Sequence, residues 1–243
     1  MIGQLLNVLL FALFPVLATI VGGIIAAFRP PTKRLGSAIQ HFAAGTVFLA
    51  VAAELLPDVV SKHAPVATIL GFALGLALML IIRRFSEGQG GEQSAKDRTA
   101  GVVGLLVAIG VDISIDGFLI SIGFAAGARQ GTLLVVALTL ELLSLGLATA
   151  TALNQAGRSH GKVIATISIL ALLPLLAAVL GITVLTSVPG DVFDAFLAFG
   201  VAALLYLVTE ELLVEAHEVP ETALITSSFF LGFLLLLVIN MLV

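Results

Sequence analysis

The sequence predicts an all-α integral membrane protein. Eight transmembrane helices form a single domain over residues 1–243, arranged 3+2+3 with spans 1–3 and 6–8 as an inverted repeat. Three observations lead there. First, 60% of the residues are hydrophobic, only 11% are charged and mean hydropathy is +1.20, whereas a soluble domain keeps roughly a quarter of its residues charged. Second, the apolar runs match the roughly 20 helical residues that a bilayer core of about 30 Å requires. Third, two of those runs repeat one another. The chain has no cysteine, which excludes disulfides and thiolate metal ligands. No basic stripe marks a nucleic-acid partner. No nucleophile–base constellation, zinc-protease helix signature or phosphate-binding glycine loop marks an enzyme.

The first span, residues 2–28, carries no charge. It lacks a basic leading region and is too long for the apolar core of a signal peptide, so it is read as retained. Arg29-Pro30-Pro31 stops it, because proline has no amide donor and restricts the residue before it. The second and third spans cover about 36–57 and 65–82. A polar stretch, RRFSEGQGGEQSAKDR, follows and defines a cytoplasmic loop over 83–99. The remaining spans fall at about 100–127, 132–153, 162–187, 193–214 and 222–242, with a turn expected around Gly127–Gly131.

Lysine and arginine set the orientation. Arg29, Lys33, Arg34, Arg83, Arg84, Lys96, Arg98, Arg158 and Lys162 fall in alternate loops on one side, and only Lys62 and Arg129 on the other. Both termini are therefore expected outside, in a plasma (inner) membrane, although the 215–221 loop on the basic side is itself acidic.

Segments FAAGTVFLAVAAELLPD (42–58) and FGVAALLYLVTEELLVE (199–215) align without a gap. Phe42/Phe199, Val51/Val208, Glu54/Glu211, Leu55/Leu212 and Leu56/Leu213 are identical, and Asp58 corresponds to Glu215. The two segments lie in spans 2 and 7, which cross in opposite senses, the arrangement of an inverted-topology repeat. Transporters built this way hold their substrate near the midplane at the repeat interface, which directs attention to spans 4 and 5. One triplet of spans with its mate is expected to rock against that central pair.

Span 4 contains VDISIDGFLISIG (111–123), with Asp112 and Asp116 one helical turn apart and therefore on one face. Glu141 lies near the middle of span 5, with Ser144 three residues on. A charged aspartate at mid-bilayer costs about 2.5–3.5 kcal/mol even on the lenient insertion scale, and these spans hold no lysine or arginine at matching depth. Either the acids are protonated and hydrogen-bond between helices, or a cation or proton site lies among them. Glu54, Asp58, Glu210, Glu211 and Glu215 fall towards span ends, where a solvated rim is expected. Glu54 and Glu211, matched in the repeat, are candidates to line the two mouths of a pathway. His41, His63, His160 and His217 read as surface histidines.

The pattern resembles the ZIP (Zrt-, Irt-like protein) family of divalent metal transporters over nearly the whole chain: eight spans, both ends outside, a variable loop after span 3 and a 3+2+3 repeat. FAAGTVFLAVAAELLPD resembles the family's second span and AALLYLVTEELLVEAHE (202–218) its seventh. Where the family usually shows His-Asn-x-Pro-Glu-Gly in span 4, this chain has Asp112-Ile113-Ser114-Ile115-Asp116-Gly117. Span 5 keeps one acid in Leu140-Glu141-Leu142-Leu143-Ser144, and Leu173 precedes Pro174 where the family often has glutamate in span 6.

The resemblance implies transport of a divalent metal cation towards the cytoplasm, with the metal as substrate, no other cofactor, and a homodimer in the lipid bilayer. Its two-metal site reduces here to one all-oxygen site: Asp112, Asp116, Glu141 and Ser144, with Ser114 alongside the pathway. Zinc favours nitrogen and sulfur ligands, whereas carboxylates suit harder cations. The donor set therefore tilts the expectation from Zn²⁺ towards Mn²⁺, Fe²⁺ or a harder ion. Two rivals stand beside it: a proton-coupled carrier of a small solute, and a binding or regulatory protein that does not transport.

Overall fold

A computed structural model of the chain describes residues 2–87, 95–220 and 222–242. Among the described residues there is no strand, and eight helices are long and apolar enough to cross a membrane. They are α1 (Ile2–Phe28), α2 (Lys33–Ser61), α3 (Pro65–Glu87), α4 (Ala95–Ala126), α5 (Ala128–Gln155), α6 (His160–Leu185), α7 (Gly190–Ala216) and α8 (Ala223–Leu242).

Local chemistry sets the breaks between them. Thr32 follows the Pro30-Pro31 stop and caps α2 by accepting from the Leu35 amide at 3.3 Å. Gly157, at φ +76°, closes α5 in the left-handed region that glycine reaches without steric cost. Pro65 and Pro189 sit at or just before helix starts, where a missing amide costs nothing.

Several helices outrun the expected spans. α2 begins at Lys33 and ends at Ser61, α4 begins at Ala95, and α5 restarts at Ala128 after the single extended residue Gly127. Hydropathy reports the thickness of the apolar layer, and a helix does not stop where that layer does. The expected 83–99 loop is correspondingly shorter, since 83–87 and 95–99 are helical; residues 88–94 lie outside the described residues. α6 is broken at Ala171–Leu172, because Pro174 cannot donate its amide back to the preceding turn.

Two helices change winding. Val51–Leu55 of α2 and Leu207–Leu212 of α7 form π turns. In each, a leucine amide reaches five residues back: Leu56 to Val51 and Leu213 to Val208. These four residues are two of the identical pairs of the aligned segments.

Helix pairing is selective. α1 lies along α5 and α4 along the second half of α6, while α2 lies along α8 and α3 along α7; α4 and α5 also touch. Between helices in lipid there is little hydrophobic driving force, so close packing of small residues carries association. A Cβ on Gly232 would overlap the Phe42 carbonyl of α2, and one on Gly75 would meet the Phe199 carbonyl of α7. Gly146 approaches Thr19 of α1 in the same way. α5 is the most enclosed span, 67% buried, against 17% for the peripheral α3 and α8. Their outward apolar side chains, such as Ile69, Leu74, Phe230 and Leu234, suit a hydrocarbon surround.

Candidate metal centre

The centre forms where α4 meets α5. Asp112 and Asp116 stand one turn apart on α4, and Glu141 faces them from α5. Each offers a carboxylate oxygen, and the three oxygens lie within 4.8 Å of one another. Asp116 and Glu141 are each only 1% exposed, and Asp112 is half-buried. Gly117 positions this turn: without a Cβ it lets α4 press against the backbone of Pro174 in α6.

The electrostatics are one-sided. Asp116 Oδ2 and Glu141 Oε2 are buried and have no hydrogen-bond partner. A buried carboxylate oxygen without a partner forfeits its hydration, a loss offset by hydrogen bonding, by a positive charge or by protonation of the acid. Oxygen ligands sit about 2.0–2.1 Å from Mg²⁺ and about 2.3–2.6 Å from Ca²⁺. Two oxygens facing each other across such an ion are therefore about 4–5 Å apart. The spacing of the three oxygens falls within that limit, so the donors can close on one hard cation with small side-chain movements.

A cavity of about 30 Å³ adjoins the acids and is lined by Gln40, Asp112, Glu141, Ser144, Glu211 and Glu215, among others. That is room for a water or a small ion. It shares Gln40, Ser144 and Glu215 with a vestibule of about 320 Å³ that reaches Lys33, Gln155 and Glu218 at one end of the bundle. Ser144 is 4% exposed and lines both spaces. Around the rim, Gln40 donates to Glu215, and the Ser37 hydroxyl donates to the Ala216 carbonyl at 2.6 Å, tying α2 to the end of α7.

Of the residues expected at the centre, Asp112, Asp116 and Glu141 converge, and Ser144 lines the cavity with Asp112 and Glu141. Ser114 does not join them. Two residues from Asp112, it points to another side of α4, and its hydroxyl donates to the Gly110 carbonyl at 2.6 Å. Glu211 lines the cavity, but its repeat mate Glu54 lies at the other end of the bundle. There Glu54 is 6% exposed, with Arg129 Nε 3.9 Å away, rather than on a solvated rim. Arg129 also donates to the Asn240 carbonyl at 3.0 Å and to its side-chain oxygen.

The histidine reading holds for the exposed His63, His160 and His217 but not for His41. His41 is buried, donates through Nδ1 to the Ser37 carbonyl at 2.9 Å, and lies against His217 with ring centroids 5.1 Å apart. Packing of α2 against the end of α7 covers it. Gln40 is not singled out by the sequence, and Glu215, expected on a solvated rim, lines both the cavity and the vestibule. Glu215 carried one signal, its match to Asp58 in the repeat; Gln40 carried none.

These features define the class: among the described residues, a strand-free bundle with eight helices able to span a bilayer, and an acidic centre beside a cavity that shares its lining with a vestibule at one end. Comparison of the sequence with protein-family models gives no match, and neither does comparison with curated proteins.

Proposed function

We propose that the protein is a ZIP-like carrier that moves a divalent metal cation across the membrane towards the cytoplasm. The observation that carries this reading is the pair of buried, unpartnered oxygens of Asp116 and Glu141, with Asp112 within coordination reach of both. Such an arrangement is costly while the acids are ionised and lack a positive guest, and a divalent cation offsets that cost. The acids replace part of the ion's hydration shell, and the adjoining cavity supplies water for the rest. An all-oxygen set favours Mn²⁺, Fe²⁺ or a harder ion over Zn²⁺.

The helix pairing supports an inverted 3+2+3 repeat. Exchanging spans 1–3 with 6–8, and 4 with 5, turns the α1–α5 pair into α6–α4 and the α2–α8 pair into α7–α3. The two π turns fall on matched residues, which supports the same reading. The pairing also favours a different moving boundary from the triplets. α1, α4, α5 and α6 form one group, α2, α3, α7 and α8 the other, and relative motion between them alternates access. The vestibule opens beside Lys33, on the side richer in basic residues, so it corresponds to an inward-facing state.

The test is Mn²⁺ uptake into proteoliposomes. The wild-type protein is expected to load vesicles above protein-free controls, and Asp112→Ala, Asp116→Ala and Glu141→Ala to lose that uptake. If all three transport like the wild type, the site assignment is wrong. Mn²⁺ binding by calorimetry without uptake would instead favour a binding protein, and metal-independent solute flux that changes lumenal pH a proton-coupled carrier.

A further inference from the structure

On the side away from the vestibule, the acidic centre is followed by packed apolar residues. Between Asp116 and the α4–α5 turn, and between that turn and Glu141, lie Leu119, Ile120, Ile122, Leu133, Leu134 and Leu138, each at most 1% exposed. Above this apolar plug, Arg129 at the start of α5 reaches Glu54 of α2 and Asn240 of α8. These contacts bridge the two helix groups: α5 belongs to one, α2 and α8 to the other.

At the vestibule end the matched positions are arranged differently. The spacing that relates Glu54 to Glu211 also relates Asn240 to Arg83. Arg83 is paired with Glu210 at 2.6 Å, within the α3–α7 pair and so within one helix group. Glu211 lines the open cavity. One end thus has a glutamate held by a cation from the opposite group; the other has the matched glutamate facing the cavity.

We propose that the Arg129–Glu54 pair, with Asn240, is the lock that holds the centre shut on the side of the α4–α5 turn, and that it parts when the centre opens to that side. This rests on the carrier reading above. Glu54 is nearly fully buried while Arg129 is half-exposed, so the lock holds one carboxylate out of water, and parting it rehydrates Glu54. Burial of the glutamate strengthens its attraction to Arg129 relative to a pair exposed on both sides, while the exposed flank of Arg129 gives water a place to enter.

The chain contains no cysteine, so paired spin labels can be placed without background. One pair, Ser61→Cys with Ala128→Cys, reports the locked end; a second, Gln155→Cys with Glu218→Cys, reports the vestibule. All four positions are exposed. In lipid bilayers, Arg129→Ala and Glu54→Gln are each expected to raise the ratio of long to short distances at the locked end about tenfold, the effect of about 1.4 kcal/mol of lost closure energy. The vestibule pair should shorten in the same variants, and Arg129→Lys, which keeps the charge beside Glu54 but not the second contact to Asn240, should raise the first ratio less than Arg129→Ala. The proposal is overturned if neither variant moves the first ratio. It is equally overturned if both label pairs lengthen together, the signature of a loosened fold. Mn²⁺ uptake measured alongside separates the two ideas: opposed distance shifts without wild-type uptake sustain the lock and reject the carrier.

Discussion

Asp116 and Glu141 face each other from neighbouring helices, both almost fully buried, and each leaves one carboxylate oxygen with no hydrogen-bond partner. Replacing either acid by its amide removes an ionisable group from a buried cluster of like groups. Asp116→Asn and Glu141→Gln should therefore melt no lower than the wild type in chelator, and the stabilisation by Mn²⁺ should vanish. For the wild type, a ligand at a hundred times its dissociation constant adds about 2.7 kcal/mol. Thermal melts in detergent with and without Mn²⁺ check this; a full metal-induced shift in either variant would contradict it.

Gly117 is the contact through which α6 supports the centre. A Cβ there would overlap Pro174 backbone atoms, which cannot swing aside as a side chain can. Gly117→Ala should cost about 1–3 kcal/mol, the range for overpacking a close contact, and should weaken Mn²⁺ binding by displacing the turn that carries Asp116. Gly36→Ala is the control, because nothing lies within 4 Å of its added methyl. Chemical denaturation and calorimetry of the two variants decide the matter.

Gly232 meets the Phe42 carbonyl and Gly75 the Phe199 carbonyl, in separate helix pairs with no shared partner. Each alanine variant should destabilise the fold. The double variant should show the sum to within about 0.3–0.5 kcal/mol, as independent sites do. A markedly smaller combined effect would mean that the α2–α8 and α3–α7 pairs do not pack independently.

The buried Ser37 hydroxyl satisfies the Ala216 carbonyl at the end of α7. Ser37→Ala should cost about 1 kcal/mol, and its effect should be local. Hydrogen exchange should quicken across Leu213–Ala216 while α4 and α5 remain protected. Uniform quickening would show that the bond stabilises the whole bundle instead.

The spans were legible because the bilayer imposes a length on apolar runs, and no other feature of this chain is so strongly constrained. Asp112, Asp116 and Glu141 were legible for the same reason: acids stand out in the middle of spans that are otherwise uncharged there. Helix ends were not, since residues such as Lys33, Ser61 and Gln155 continue a helix without being apolar. The partner of Glu54 was hidden because Arg129 is brought to it by packing from a distant part of the chain. His41 was misread because its burial comes from α7 rather than from its own neighbours. The π turns carry no single-residue signature: Pro57 follows the first, but no proline accompanies the second.

Each of those wide turns holds one residue beyond what regular coiling needs, and every residue advances the helix by about 100°. The stretches that follow, Leu56–Ser61 and Leu213–Ala216, are therefore rotated as blocks relative to the helices that lead into them. Deleting a single position within either turn would restore ordinary coiling and swing Asp58 or Glu215 about a quarter of the way around its axis. Insertions and deletions there would re-aim the acids at one mouth while leaving the opposite mouth untouched.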